Sequence, residues 1–318
     1  VRQHYTQSKA SKNLDLHALA NVSEAEAYMT LRQMRWLETA GAPVCPHCGC
    51  FNALVFKTRP IFRCRDCGHQ FSVTSGTILA SRKMSCRKLL YLIAQFVVNA
   101  KGCSSIDLSK HIGCQSMSAF IIAHKIREAM VMETADVILT GEVEVDGCYI
   151  GKSRRKSNWK ENRVDLRFKP SRNQKVIGVI RQRGGLTLTT VNKRETLAIP
   201  IIIDRVDHNA VVYADEAAGW DRLRETFHLK QINHKECYSD GDACTNQAES
   251  FFSRVRRAEK GIYHHISGDY ADLYAAEIAW RENNRRVSDA ERYLKVLALT
   301  LRHPVSRRFG GYWQRGRS

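Results

Sequence analysis

Two Cys-x-x-Cys pairs, Cys45-Pro46-His47-Cys48 and Cys64-Arg65-Asp66-Cys67, are separated by fifteen residues, and no other feature limits the fold as sharply. Each pair brings two sulfurs together on one tight turn, and the spacing is that of a four-thiolate zinc ribbon. Gly49 and Gly68 directly follow the second cysteine of each pair, where such turns commonly need a positive φ. A redox dithiol is the competing reading, but such motifs typically occur singly beside a βαβ pattern. We therefore expect structural Zn2+ on Cys45, Cys48, Cys64 and Cys67. Four sulfurs close the coordination shell, so this metal builds the fold and performs no reaction.

The charge balance says what such a ribbon would meet. Fifty Lys and Arg stand against 32 Asp and Glu, a net charge of +18 and a pI near 9.6. Phosphates are the partner this favours, because each phosphate neutralised releases counterions and adds affinity for any sequence. A hydrophobic content of 43% over 318 residues rules out a disordered basic tail and leaves room for two or three domains. No apolar run approaches the ~20 residues that span a bilayer, and nothing at the start reads as a signal peptide. The expected setting is cytoplasmic, with no membrane partner. The seven cysteines outside the pairs (50, 86, 103, 114, 148, 237 and 244) have no framework spacing and read as thiols.

Along the chain, Ser23-Glu24-Ala25-Glu26 has the form of a capping box, with helical spacing to about Ala40. Short strands are expected at 53–57, 61–63 and 70–73, and a helix at 85–98. Residues 104–130 read as a helix-turn-helix, with a turn glycine at Gly113 and a candidate recognition helix over 116–130; a plain helical hairpin is the alternative. After Gly141 the period changes from helical to alternating, and strands are expected at 142–146, 176–181, 186–191 and 211–214. Residues 152–175 hold ten Lys or Arg against two acids. This basic loop makes Lys152, Arg154, Arg155 and Lys156 candidate DNA contacts, or else parts of a solvated insertion. Helices are expected again at 218–227, 246–257 and 269–284, and an Arg-rich tail closes the chain.

Asp146 and Asp215 each end a short apolar strand. A lone strand-end Asp is usually a turn or cap residue, but here a third element joins them. Asn246 and Glu249 lie three apart, hence on one face of the expected helix. Two strand carboxylates with a helix oxygen form an all-oxygen set suited to Mg2+ or Mn2+ and to in-line phosphodiester displacement. Arg254, Arg256 and Arg257 follow on the same helix and are candidate phosphate contacts, with a solvated face as the alternative. His234 and the pair His264-His265 lack ligand spacing with the cysteines, which favours a structural or DNA-contact role for them.

The order of segments is specific: ribbon, helix-turn-helix, Val143-Glu144-Val145-Asp146-Gly147-Cys148-Tyr149-Ile150, Tyr213-Ala214-Asp215-Glu216, Thr245-Asn246-Gln247-Ala248-Glu249-Ser250, and Gly261-Ile262-Tyr263-His264-His265. Over nearly the whole chain it resembles the zinc-ribbon insertion-sequence transposases of the ISXO-two-like group. That resemblance implies an α/β fold, with a ribonuclease-H-like, integrase-type mixed sheet carrying a triad of DDE type. Asp146 and Asp215 match its first two positions. Asn246 and Glu249 both lie in the segment of the third, with 30 and 33 residues between each and Asp215. The family third position falls on Asn246, with Glu249 a close metal or neighbouring partner. Gly147 departs from the pattern, which often has an acid there, and Glu144 is a possible substitute.

The expected domains are an N-terminal helical segment (1–44), the ribbon (45–80), a helix-turn-helix-like region (81–138), the catalytic domain (139–290) and a basic tail (291–318). The expected activity is metal-dependent cleavage and strand transfer at the ends of a mobile element. Its expected partners are double-stranded DNA and further copies of the chain assembled on that DNA. A non-catalytic zinc-ribbon regulator is the alternative, but such a protein has no use for strand-end aspartates facing a helix Asn and Glu.

Overall fold

The computed structural model describes residues 5–56, 58–151, 159, 161, 174–215, 219–232 and 245–311. The chain divides into two compact units, Val1–Glu133 with Asn284–Ser318, and Thr134–Asn283.

The first unit opens with a short helix α1 (Leu16–Asn21) and then α2 (Glu24–Arg35), which starts at the expected capping box of Ser23 and Glu26. The ribbon follows as three antiparallel strands, β1 (Ala53–Val55), β2 (Ile61–Cys64) and β3 (Gln70–Ser72), in that order. Its small core is aromatic. Trp36, just past α2, meets the Phe62 ring edge-on at 5.5 Å, and Phe62 lies 5.4 Å from Phe71. Arg35 donates to the carbonyls of Val73 and Ser75 at 2.6 and 2.5 Å, which ties α2 to the ribbon's exit.

Helices α3 (Cys86–Val98), α4 (Ser105–Ile112) and α5 (Ser116–Met130) come next. Glu24 of α2 caps α3 by accepting the amides of Cys86 and Arg87 at 2.6 and 3.0 Å. Gly113 ends α4 in the left-handed region at φ 64°, the usual means of stopping a helix. The α4–turn–α5 arrangement has helix-turn-helix form, but most of α5 is interior: Ala119, Ile121, Ala123, His124, Ile126, Arg127, Ala129 and Met130 are all buried. Only the start of α5, at Ser116 and Met117, is well exposed along with Lys110 and His111 before it.

The second unit is a mixed α/β domain. Its sheet comprises β4 (Glu142–Ile150), β5 (Lys175–Gln182), β6 (Thr187–Asn192), β7 (Val211–Asp215) and β8 (His228–Ile232), in the order β6-β5-β4-β7-β8. The first three strands are antiparallel neighbours, while β7 and β8 run parallel to β4. One face of the sheet packs Val143, Val145 and Val212 against helix α6 (Ile199–Arg205) and against Trp220, Leu223 and Phe227. The other packs Cys148, Ile150, Ile177 and Val179 against α7 (Asn246–Ala258) and α8 (Ala271–Asn283).

Three expectations fail here. Asp146, expected to end a strand over 142–146, lies in the middle of β4, paired with Val179, and the strand runs on to Ile150. Residues 221–225 form a 3-10 turn where an α-helix over 218–227 was expected. The region expected as a basic tail begins instead with α9 (Asp289–Arg302), which belongs to the first unit. Ser288 and Glu291 give it a capping box, and Tyr293, Val296, Leu297 and Leu301 are buried. Its first amides donate to Ser11 O and Asn13 Oδ1, each at 2.9 Å, and its end accepts Ile78 N at 2.8 Å through His303 O.

Candidate active site

The four ribbon cysteines converge as their spacing requires. Gly49 N donates to Cys45 O at 2.9 Å and Gly68 N to Cys64 O at 3.1 Å, with φ of 74° and 70° at the two glycines. The sulfurs pair across the knuckles, Cys45 with Cys67 at 3.7 Å and Cys48 with Cys64 at 3.6 Å. Among the described residues, these four are the one group of three or more metal-type side chains whose donor atoms all lie within 4.8 Å of one another. Without a metal the four thiols share protons: backbone amides of Cys67 and Asp66 lower Cys64, while neighbouring thiols hold Cys48 and Cys67 up.

The acids lie on the second unit. β4 pairs in parallel with β7 from Glu142↔Val211 to Glu144↔Tyr213. Asp146 and Asp215 each lie two residues beyond the last of these pairs, and the Asp215 charge acts on Asp146. Glu249, one turn into α7, reaches the same place: burial, then the charges of Asp215, Glu249 and Glu195, push Asp146 up to about 7, against one opposing hydrogen bond from Gly147 N at 2.6 Å. Asn246 opens α7 on the exposed side, as does Glu249. The donors are all oxygen, as a hard divalent cation requires. The carboxylates are not drawn together as the cysteines are, which is what like charges do.

Glu144 is fully buried and is not a spare metal ligand. Its Oε2 accepts the amides of Gln247 and Ala248 at 2.9 and 3.0 Å, and its Oε1 accepts Arg183 Nε at 3.0 Å. Thr245 provides no side-chain cap for α7, so a carboxylate two residues before Asp146 does so from the sheet. Arg181 adds a second tie, donating to Gln247 Oε1 at 3.2 Å and to Glu282 Oε1 at 2.8 Å. The α7 start, with Asn246 and Glu249, is thereby fixed to the strand that carries Asp146.

The expected phosphate contacts separate. Arg254 pairs with the buried Glu282 and keeps 37% of its side chain exposed. Arg256 and Arg257 are exposed on α7. Lys152, Arg154, Arg155 and Lys156 lie outside the described residues, as does His234. His264 takes φ 57° just after the π-turn Glu259–Tyr263, a position set by backbone geometry.

Sequence reasoning missed Glu195. It opens the 3-10 turn Glu195–Ala198 after β6, and no motif marks it. Burial and the charge of Asp215 raise its carboxyl, while a hydrogen bond with Tyr149 lowers it. A Cβ added at Gly147 would lie 2.9 Å from both Cγ and Oε1 of Glu195, and one added at Gly219 would lie 3.4 Å from Oε2. Gly147 thus leaves room for Glu195 on the α6 face of the sheet, opposite the Asp146 side chain.

Residues 138–283 match the ISXO2-like transposase domain, and residues 22–70 match a transposase zinc-ribbon domain that includes α2. A Haemophilus influenzae protein described as an uncharacterized transposase-like protein is 26% identical over 113 residues, 35% of this chain and 90% of its own length. An uncharacterized protein in transposable element ISH50 of Halobacterium salinarum is 23% identical over 251 residues, 74% of this chain and 83% of its own. A chain in the crystal structure of the Mos1 strand transfer complex aligns with 63% of this chain and 77% of its own length at 10% identity, but its TM-score of 0.20 gives it no weight. Two domains of one family, matched in their sequence order, show that the chain belongs to the zinc-ribbon, ISXO2-like transposases.

Proposed function

We propose that this chain cuts the ends of the mobile element that encodes it and joins the freed 3′-hydroxyl to target DNA, using a ribonuclease-H-like domain of DDE type. The observation that carries this reading is the charge meeting point of β4, β7 and α7, where Asp146 is pushed up to about 7 by burial and by acids from other elements. A sheet of three antiparallel strands continued by two parallel ones fits that fold. In this reading Asp146 and Asp215 would hold a divalent cation, and Glu249 and Asn246 would complete the oxygen set.

When bound there, Mg2+ or Mn2+ supplies Lewis acidity for an in-line phosphodiester displacement. Burial pushes the Asp146 carboxyl up to about 7, so a cation held there would take the place of a proton that this group binds readily near neutral pH. Glu144 and Arg181 keep the α7 oxygens aligned with the strand carboxylates, and alignment of this kind is worth orders of magnitude in rate. Water and a 3′-hydroxyl can be used in turn as nucleophile, because the in-line geometry is the same for both. The cysteines would hold structural Zn2+ in the ribbon, whose apparent binding energy of order 10 kcal/mol makes so small a fold metal-dependent. Double-stranded DNA is the substrate, and because two element ends must be brought together we place more than one copy on it.

The test uses purified protein, labelled element-end duplex and Mn2+. Asp146→Asn and Asp215→Asn should each abolish cutting and joining, with DNA binding retained. Glu249→Ala and Asn246→Ala, run in parallel, identify the third ligand as the one that matches the Asp variants; a supporting residue should cost about 10- to 100-fold. Parental rates in both Asp variants would overturn the reading.

A further inference from the structure

The zinc ribbon turns one face of its sheet inward and leaves the other exposed. Phe62, Cys64 and Phe71 belong to the inner face and are buried. Side chains alternate along a strand, so Arg63 points the opposite way. The register sets Leu54 of β1 on one side of Arg63 and Gln70 of β3 on the other, as the pairs Leu54↔Arg63 and Arg63↔Gln70. All three are exposed, Leu54 at 43%. Two strand spacings make this row about 10 Å wide.

Charge says what such a face would meet. Residues 45–80 hold four Lys or Arg against one acid, Asp66, which lies in the second knuckle against the Cys50 thiol. Among the described residues, no carboxylate pairs with Arg63. The row also carries the chemistry that tells bases apart: the Arg fork matches guanine O6 and N7, the Gln amide matches adenine N6 and N7, and an apolar side chain meets the thymine methyl. Its width fits the major groove, ~12 Å across. Arg59, stacked over Phe56 at 5.9 Å, and Arg65 are exposed before and after β2. They flank the row at both ends of the strand that carries Arg63, where backbone phosphates border a groove.

We propose that the exposed face of the ribbon sheet reads base edges in the major groove of the element's ends: Arg63 and Gln70 hydrogen-bond to bases, Leu54 packs on a base methyl, and Arg59 and Arg65 hold flanking phosphates. The inference rests on the reading of this chain as one that binds those ends. It gives the ribbon a part in sequence recognition, where charge alone gives affinity for any duplex. Most of α5 is interior, which leaves the helix-turn-helix few side chains for base contacts and the ribbon as a second reading surface.

The experiment measures binding of the full-length, zinc-replete protein by fluorescence anisotropy to two labelled duplexes, one with the terminal sequence flanking the gene and one with that sequence shuffled. Arg63→Lys keeps the charge and loses the planar fork, and Gln70→Ala removes the amide. Each should weaken element-end binding about 5- to 100-fold, the worth of one bidentate base contact, and leave the shuffled duplex within about 2-fold of the parent. Arg65→Ala should weaken both duplexes alike and lower the slope of log K against log salt by about 0.9. Parental affinity for both duplexes in Arg63→Lys and Gln70→Ala would overturn the proposal and leave the end-binding reading standing. An equal loss on both duplexes would reduce these residues to phosphate contacts or supports of the ribbon, and overturns the proposal as well. If the parent itself does not prefer the element end, the end-binding reading fails and the proposal goes with it.

Discussion

A carboxyl that holds its proton to about 7 links folding to pH in a definite direction. Asp146 in the folded protein titrates far above its ordinary value of 3.8, through burial first and neighbouring acids second. The folded state therefore binds a proton that the unfolded chain releases as pH rises from about 4 to 7, and stability contributed by this group is lost across that window. In the metal-free protein, Asp146→Asn should raise Tm at pH 8 by at least about 2–4 °C, the shift that ~1 kcal/mol produces in a domain this size. At pH 5 the same substitution should change little, since Asp146 is already protonated; scanning calorimetry at the two pH values checks this. Asp146 and Asp215 were legible in the sequence because each follows an apolar alternating run, although only Asp215 ends its strand and β4 continues past Asp146. Glu195 was not, because Gly147 and Gly219 lie far from it in sequence and come beside it only in the fold.

Elements behave as their local signals dictate, except where tertiary contacts supply what the sequence lacks nearby. The α7 start has no cap of its own, and Glu144 reaches it across the sheet. Glu144→Ala should cost about 3–5 kcal/mol, the usual loss when a buried ion pair keeps one orphaned partner, here Arg183 and two helix amides. Glu144→Gln retains an acceptor and should lose clearly less; urea unfolding followed by tryptophan fluorescence separates the two. A capping box made α2 readable, helical apolar spacing α3, the turn glycine before it α5, and alternation β4 and β7. The helix α9 was obscured by the arginines around it, although Ser288, Glu291 and its buried Tyr293, Val296, Leu297 and Leu301 carry an ordinary helix signal. Residues 221–225 look helical in composition, but Trp220, Leu223 and Phe227 are fixed by the sheet face they cover, and a 3-10 turn suffices.

For the whole molecule, a transposase zinc-ribbon domain matches residues 22–70 and an ISXO2-like transposase domain residues 138–283, while the C-terminal helix belongs to the first unit. Among the described residues, no helix is long and apolar enough to cross a membrane. A net charge of +18 should make DNA affinity fall steeply with salt, each neutralised phosphate adding roughly 0.9 to the slope of log K against log salt. Deleting residues 153–174 should lower that slope in fluorescence anisotropy, and an unchanged slope would mean that the basic loop makes no DNA contact. The most direct measurement of the central claim is anomalous diffraction from crystals of the protein soaked in Mn2+. The account expects manganese peaks about 2.0–2.3 Å from oxygens of Asp146 and Asp215, and a separate zinc peak among Cys45, Cys48, Cys64 and Cys67. A zinc peak at the cysteines with no manganese at the two aspartates would contradict it.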